Sequence, residues 1–272
     1  YAYDTKITNI DVSKNSQLTD LNLRQTGITG LDVSSNAKLQ MLNLQSCADI
    51  AGLDVGKNEK LQYLYLAGTG ISSLTLPENK GVLEELECAD TKLTSLDVSN
   101  YTALSYLDCS CESDEEIEDY VMPLKTLNVT GCISLRTLYC YRTALETLDV
   151  STCVTLERLN CNNTGISSLD VRNCKALENL RCFGTNISSL DVSQNIVLLY
   201  LYCYNTNIDS LDVSNNTLLD TLNCNRTKLT SLDVSKNIKL TDLNCSRTDI
   251  SSLDVSKNVV LDSLSCYGTK IT

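Results

Sequence analysis

The sequence predicts a repeat solenoid: short parallel β-strands stacked in a curved rod, mostly extended or turn-like segments on the opposite side, and little α-helix. Three observations lead there. The leucine that opens the pattern LxxLxC returns at Leu18, Leu39, Leu61, Leu83, Leu104, Leu135, Leu156, Leu177, Leu198, Leu219, Leu240 and Leu261. The steps are 21 or 22 residues, apart from the 31 between Leu104 and Leu135. Each unit then nearly repeats itself, because LxxLxC is followed ten residues later by [IL]xxLDV, as in Leu240-Thr-Asp-Leu-Asn-Cys and Ile250-Ser-Ser-Leu-Asp-Val. Finally, apolar residues alternate inside each half: Leu243 and Cys245, then Leu253 and Val255, point to one side and their neighbours to the other.

Each unit therefore reads as a short strand, a turn, a second extended segment and another turn. One such coil cannot bury its apolar side alone, so coils stack. About twelve coils at a strand spacing of about 4.8 Å give a rod roughly 55–60 Å long. Residues 1–272 read as a single solenoid, interrupted by an acidic insertion near 111–123.

Composition excludes several function classes. With no His, the Ser/His, Cys/His and imidazole–zinc constellations are absent. A net charge of −12 argues against nucleic acid or anionic lipid as the main partner. No apolar run approaches the roughly 18–20 residues of a membrane span. No Gly-rich phosphate loop appears, and a ladder of equivalent carboxylates on a flat face lacks the cleft an enzyme needs. No catalytic residue, metal site or cofactor is assigned.

The unit LxxLxC…LxxLDVSxN resembles bacterial leucine-rich repeats of the nested 21-residue class, and in particular the internalin family, one member of which carries a cysteine ladder through its core. The resemblance covers essentially the whole chain. Two features depart from it. The first half-coil ends in Thr (Thr164, Thr185, Thr206, Thr227, Thr248, Thr269) where such repeats commonly place Asn, and the chain carries no internalin cap, signal peptide or wall-anchoring tail. Both ends stop at the same phase of the repeat, Tyr3 to Ile7 and Tyr267 to Ile271, which points to a piece of a longer protein.

Three ladders run along the stack. Cys88, Cys109, Cys140, Cys161, Cys182, Cys203, Cys224, Cys245 and Cys266 share one slot with Leu23, Leu44 and Leu66, so these thiols read as small buried hydrophobes. In-register neighbours about 4.8 Å apart exceed the roughly 3.5–4.5 Å Cβ separation that a disulfide prefers. Cys132, Cys153 and Cys174 take the slot held elsewhere by Asn15, Asn36, Asn58, Asn195, Asn216, Asn237 and Asn258, whose amides are expected to bond backbone groups along the stack. Asp11, Asp32, Asp54, Asp97, Asp149, Asp170, Asp191, Asp212, Asp233 and Asp254 face outward among Ser and Thr, as a solvated polar face.

The aromatic residues are unevenly placed. Tyr63, Tyr65, Tyr106, Tyr139, Tyr141, Phe183, Tyr200, Tyr202, Tyr204 and Tyr267 flank the inward Leu and Cys of the LxxLxC half, so they share one face. Cross-strand stacking alone could select them. A ligand surface is the other reading, since Tyr supplies large area at low entropy cost. Tyr200, Tyr202 and Tyr204 form the densest row. The insertion from Glu112 to Asp119 holds six acids in eight residues and reads as a solvated loop.

The resemblance implies a secreted or cell-surface bacterial recognition module. Its ligand is expected to be a protein, with a glycan as the second class, and the module a monomer without nucleic-acid binding or membrane insertion. The alternatives are a structural spacer and a leucine-rich repeat effector acting inside host cells.

Overall fold

A computed structural model describes residues 5–111 and 121–272. The acidic stretch from Glu112 to Asp119, expected to form a solvated loop, lies outside the described residues. The fold is the expected solenoid of short parallel strands, and no helix occurs among the described residues. The chain divides into two compact units. The first runs from the start of the described chain to Leu135 and includes Arg142–Ala144; the second holds Arg136–Tyr141 and Leu145–Thr272.

In the first unit the strands are β1 (Asp20–Asn22), β2 (Met41–Asn43), β3 (Gly52–Asp54), β4 (Tyr63–Tyr65), β5 (Ser73–Thr75), β6 (Glu85–Glu87), β7 (Ser95–Asp97), β8 (Tyr106–Asp108) and β9 (Thr126–Asn128). Here β1, β2, β4, β6 and β8 pair in parallel, leucine opposite leucine: Leu21 with Leu42, Leu42 with Leu64, Leu64 with Leu86, Leu86 with Leu107. These strands come from the LxxLxC half. The other half forms only two small sheets, β3 with β5 and β7 with β9.

The second unit is simpler. Its strands are β10 (Thr137–Tyr139), β11 (Arg158–Asn160), β12 (Asn179–Arg181), β13 (Tyr200–Tyr202), β14 (Thr221–Asn223), β15 (Asp242–Asn244) and β16 (Ser263–Ser265). All pair in parallel and in register from Leu138 to Leu264. The second half-coils of this unit are turns and extended chain, as the pattern predicts.

Both half-coils turn by the same device, which explains why the unit repeats within itself. In most second half-coils the residue after the central leucine is Asp and in several LxxLxC halves it is Asn, and its Oδ1 accepts the backbone N–H two residues on. Asp191, Asp212, Asp233 and Asp254 take the amides of Ser193, Ser214, Ser235 and Ser256 at 2.8–2.9 Å. Asn22, Asn43, Asn223 and Asn244 do the same in the LxxLxC half at 3.0–3.3 Å. Asp and Asn favour such local turns because their short side chains reach the neighbouring backbone. In the LxxLxC half the chain then passes through a left-handed residue, two past the Cys slot: Gln25, Ser46, Gly68, Asp90, Arg142, Asn163, Gly184, Asn205, Arg226, Arg247 and Gly268 all have φ between 52° and 70°. A third column closes the turn. Thr26, Thr69, Thr91, Thr164, Thr185, Thr206, Thr227 and Thr248 are buried, and each donates its hydroxyl to the carbonyl three residues back, at 2.6–2.9 Å. That bond is what Thr offers where related repeats place Asn.

The exposed Asp column carries a testable consequence. Hydrogen bonds from the serine amides and hydroxyls hold Asp191, Asp212, Asp233 and Asp254 below the usual carboxylate range, and the Arg172 guanidinium, bonded to Asp170, brings that group down to about 2. Depressed folded values stabilise the fold above the unfolded carboxylate value of about 3.9 and lose that effect as pH falls through the folded ones. The melting temperature is therefore expected to be flat from pH 7 to about 5 and to fall between about pH 4 and 2. Asp212→Asn keeps the turn acceptor but gives up the charged form that these hydrogen bonds favour, so its melt at pH 7 should fall slightly below the parent's. Asp212→Ala, lacking the acceptor, should melt lower. A lower melt for Asp212→Asn than for Asp212→Ala would contradict the turn role.

Candidate functional site

The inner columns are structural and leave no chemistry exposed. Every Cys among Cys88, Cys109, Cys140, Cys161, Cys182, Cys203, Cys224 and Cys245 is buried and unbonded to another sulfur, and Cys266 is half-buried. Burial pushes the thiols of Cys161 and Cys203 up to about 12 and that of Cys245 to about 11, so they stay protonated and unreactive at neutral pH. Among the described residues, no group of three or more Cys, Asp and Glu is placed to hold a metal ion.

The Asn column behaves as expected and adds a detail. The Nδ2 of Asn195 donates to Val171 O at 3.0 Å and Cys174 O at 2.8 Å; Asn216 and Asn237 repeat the pattern one coil on each time. The Oδ1 atoms of Asn36, Asn58, Asn195, Asn216, Asn237 and Asn258 are buried and accept no hydrogen bond. The slot therefore needs a donor and nothing else. That is why a thiol can stand in: Cys132 Sγ donates to Val98 O at 3.1 Å and Cys174 Sγ to Val150 O at 3.6 Å. Two occupants of such donor slots escape the sequence pattern. Tyr101 takes the Asn slot, fully buried, its hydroxyl donating to Pro77 O at 2.6 Å. Cys47 takes the Thr slot, with Sγ donating to Leu23 O at 3.0 Å.

The outward side of the LxxLxC half is different in kind. In the first unit Tyr63 and Tyr65 flank Leu64 on β4, and Tyr106 precedes Leu107 on β8. The Tyr63 hydroxyl donates to Glu84 at 3.3 Å and the Tyr65 hydroxyl to Glu85 at 2.8 Å, while Gln45 Nε2 bonds Glu87 at 2.7 Å. Burial, then Glu85, raises the Tyr65 hydroxyl well above its usual value. This group is a closed network of tyrosines and carboxylates.

The second unit holds the larger group. Tyr139 lies on β10 and Tyr141 two residues on, their ring centroids 6.5 Å apart and tilted by 59°. Phe183 and Tyr204 stack across adjacent coils at 4.2 Å and 9°. Tyr200 and Tyr202 flank the buried Leu201 on β13, and the Arg181 guanidinium of β12 lies 5.0 Å above the Tyr202 ring. Arg247 lies 5.2 Å over Tyr267, which is 60% exposed. Between Tyr204 and Tyr267 the surface dips into a notch lined by Asn225, Arg226, Asn244 and Ser246. The expected row Tyr200, Tyr202 and Tyr204 is thus brought together with Phe183. Phe183 and Tyr204 stack across adjacent coils, and the rings remain partly open to solvent.

The arginines are the residues that pattern-reading missed. Seven of the eight, Arg24, Arg136, Arg142, Arg158, Arg181, Arg226 and Arg247, lie between the opening leucine and the second residue past the Cys slot; none of the 14 lysines does. The signal was present in the sequence, as a partition of Arg from Lys between the two half-coils. Arg172, the exception, pairs with Asp170 on the opposite half at 2.6 Å.

No family model matches the chain, and no curated protein does. Solved structures do. The functional domain of InlJ from Listeria monocytogenes, which includes a cysteine ladder, is 33% identical with a TM-score of 0.73 over 97% of this chain, and the chain spans 61% of that domain's length. A leucine-rich repeat protein of Leptospira interrogans (22% identical, TM-score 0.78, covering 98% of this chain and 71% of that one) shares the fold. So does the internalin InlF from Listeria monocytogenes (20%, 0.76, 99% and 80%). No helix among the described residues is long and apolar enough to cross a membrane.

Proposed function

Because the chain is a leucine-rich repeat protein of the 21-residue class that resembles the internalins, we propose that it is a non-catalytic recognition module of a secreted or cell-surface bacterial protein, one that binds a protein ligand through the outward side of its LxxLxC half-coils. One observation carries this reading: Tyr and Arg are gathered on that half and Lys is kept off it. Tyr and Arg are enriched in protein interfaces and their hot spots, whereas Lys is depleted there. The rings are also held in place, by the Phe183–Tyr204 stack and by Arg181 over Tyr202, so binding would cost little further ordering. A spacer needs no such partition.

The test is capture from arrays of proteins and glycans by the full chain, beside Tyr202→Ala/Tyr204→Ala. These side chains are half-exposed, so the variant should melt close to the parent. Loss of two interface anchors is expected to weaken capture by about 100-fold or more. A ligand held equally by both proteins would move the site off this face. An absence of any protein ligand would leave the spacer as the better reading.

A further inference from the structure

The outward positions on the strand-end side of the second unit form a lane of unusual charge. Taking the residue after each central leucine and the two that follow the Cys slot, the lane from Phe183 to Tyr267 reads Phe183 and Gly184; Tyr202, Tyr204 and Asn205; Asn223, Asn225 and Arg226; Asn244, Ser246 and Arg247; Ser265 and Tyr267. Arg181 opens it. It holds no Asp, Glu or Lys in a chain with 34 acids. The carboxylates of the LxxLxC segments in these coils, Glu178, Asp220, Asp242 and Asp262, all lie on the strand-start side, and Asp220 is engaged by the Thr241 hydroxyl at 2.8 Å.

Arg181, Arg226 and Arg247 make no ion pair among the described residues. Two of them are held over aromatic rings, a geometry that steadies the guanidinium plane and leaves its N–H fork free at the rim. Arg226 and Arg247 are also left-handed, with φ of 54° and 55°, at a column that other coils of the unit fill with Asn163, Gly184, Asn205 and Gly268. Arg226 borders the notch between Tyr204 and Tyr267, whose other lining groups are amides and a hydroxyl.

We propose that this lane receives an acidic, extended segment of the protein ligand, with a Glu or Asp side chain seated in the Tyr204–Tyr267 notch and its carboxylate held by Arg226 and Arg247. Guanidinium groups take carboxylates through paired N–H donors, and flanking tyrosines and asparagines exclude water and complete the polar contacts. The assignment rests on the reading of this half-coil as a protein-binding face, and it names the chemistry of the partner.

The experiment titrates the full chain with a fluorescein-labelled dodecapeptide of alternating Glu and Gly, with its Gln–Gly twin, and with a hyaluronan hexasaccharide as an anionic glycan. The Glu peptide should bind at low salt and weaken as salt is raised. The Gln twin should bind at least tenfold more weakly. Arg226→Gln/Arg247→Gln should lose the Glu peptide by a similar factor, with Arg226→Lys/Arg247→Lys intermediate because charge survives and the fork does not. Equal affinity for both peptides, or unchanged binding by the Gln double variant, would overturn the proposal. A preference for the hexasaccharide would reassign the notch to a glycan. The two readings separate cleanly: a protein ligand lost in Tyr202→Ala/Tyr204→Ala but kept in Arg226→Gln/Arg247→Gln removes the acidic segment and keeps the face. Failure of both variants to affect a captured ligand removes the face as well.

Discussion

Replacing Asn195 with alanine is expected to destabilise the protein by about 1–3 kcal/mol, because it takes one of two hydrogen bonds from each of two buried carbonyls. Val171 O and Cys174 O each accept Asn195 Nδ2 beside a backbone N–H, from Cys174 and Leu177 respectively, and the Asn195 side chain is fully buried. Each bond lost in the interior is worth roughly 0.5–1.5 kcal/mol. The neighbouring coils sharpen the test. Asn195→Cys keeps one donor, as Cys174 does in the same slot against Val150 O, and should lose roughly half as much. Asn195→Asp presents only acceptors to two carbonyls and should be worst of all. The order Asn, Cys, Ala, Asp in falling denaturation midpoint checks the donor role. If Asn195→Cys were no better than Asn195→Ala, donation along the column would not be what holds the turns.

That ordering also shows where the sequence speaks and where it does not. The period, the strand positions and the inward Leu and Cys columns follow from alternation and a fixed step, both visible along the chain. The Asn column is legible too, because one residue type returns at one phase. What alternation cannot show is the function shared by unlike residues. Asn195, Cys174 and Tyr101 have no property in common along the sequence except a donor, and only the fold puts each beside a carbonyl of the preceding coil. Thr206 and Cys47 likewise share only donation to a carbonyl, Thr206 to Cys203 O within its own turn and Cys47 to Leu23 O of the preceding coil.

The candidate face divides in the same way. The ten aromatics were legible because a ring at an outward strand position stands out against Ser, Asn and Asp. That Phe183 stacks on Tyr204 while Tyr65 is tied to Glu85 was not legible, since it depends on side-chain direction between coils. The arginines were legible only as a comparison with the lysines, and become informative once their phase in the coil is a place in space. Unit by unit, one aromatic group is closed by its own carboxylates and the other leaves guanidinium groups unpaired.

Changing Cys182, Cys203 and Cys224 together to serine is expected to destabilise the second unit by about 3–9 kcal/mol. The three thiols are fully buried in consecutive coils, where the slot is apolar enough to hold Leu23, Leu44 and Leu66 earlier in the chain. Serine is close to cysteine in shape, so packing changes little, but each hydroxyl enters a site that selects an apolar group. At about 1–3 kcal/mol for each such polar group, the sum of about 3–9 kcal/mol approaches the whole stability of an ordinary domain. The alanine triple removes three sulfur atoms and leaves small voids, so it should be destabilised yet remain folded, with a midpoint between parent and serine variant. The valine triple adds volume to the slot and should fall near the alanine variant. Circular dichroism melts of the three variants separate polarity from volume as the property the ladder preserves. A serine triple as stable as the alanine triple would mean that the slot tolerates a polar atom, and the ladder's apolar role would have to be given up. With serine last, a column of thiols through the core is explained by what a thiol lacks, a strong demand for hydrogen bonds, rather than by any chemistry it could perform.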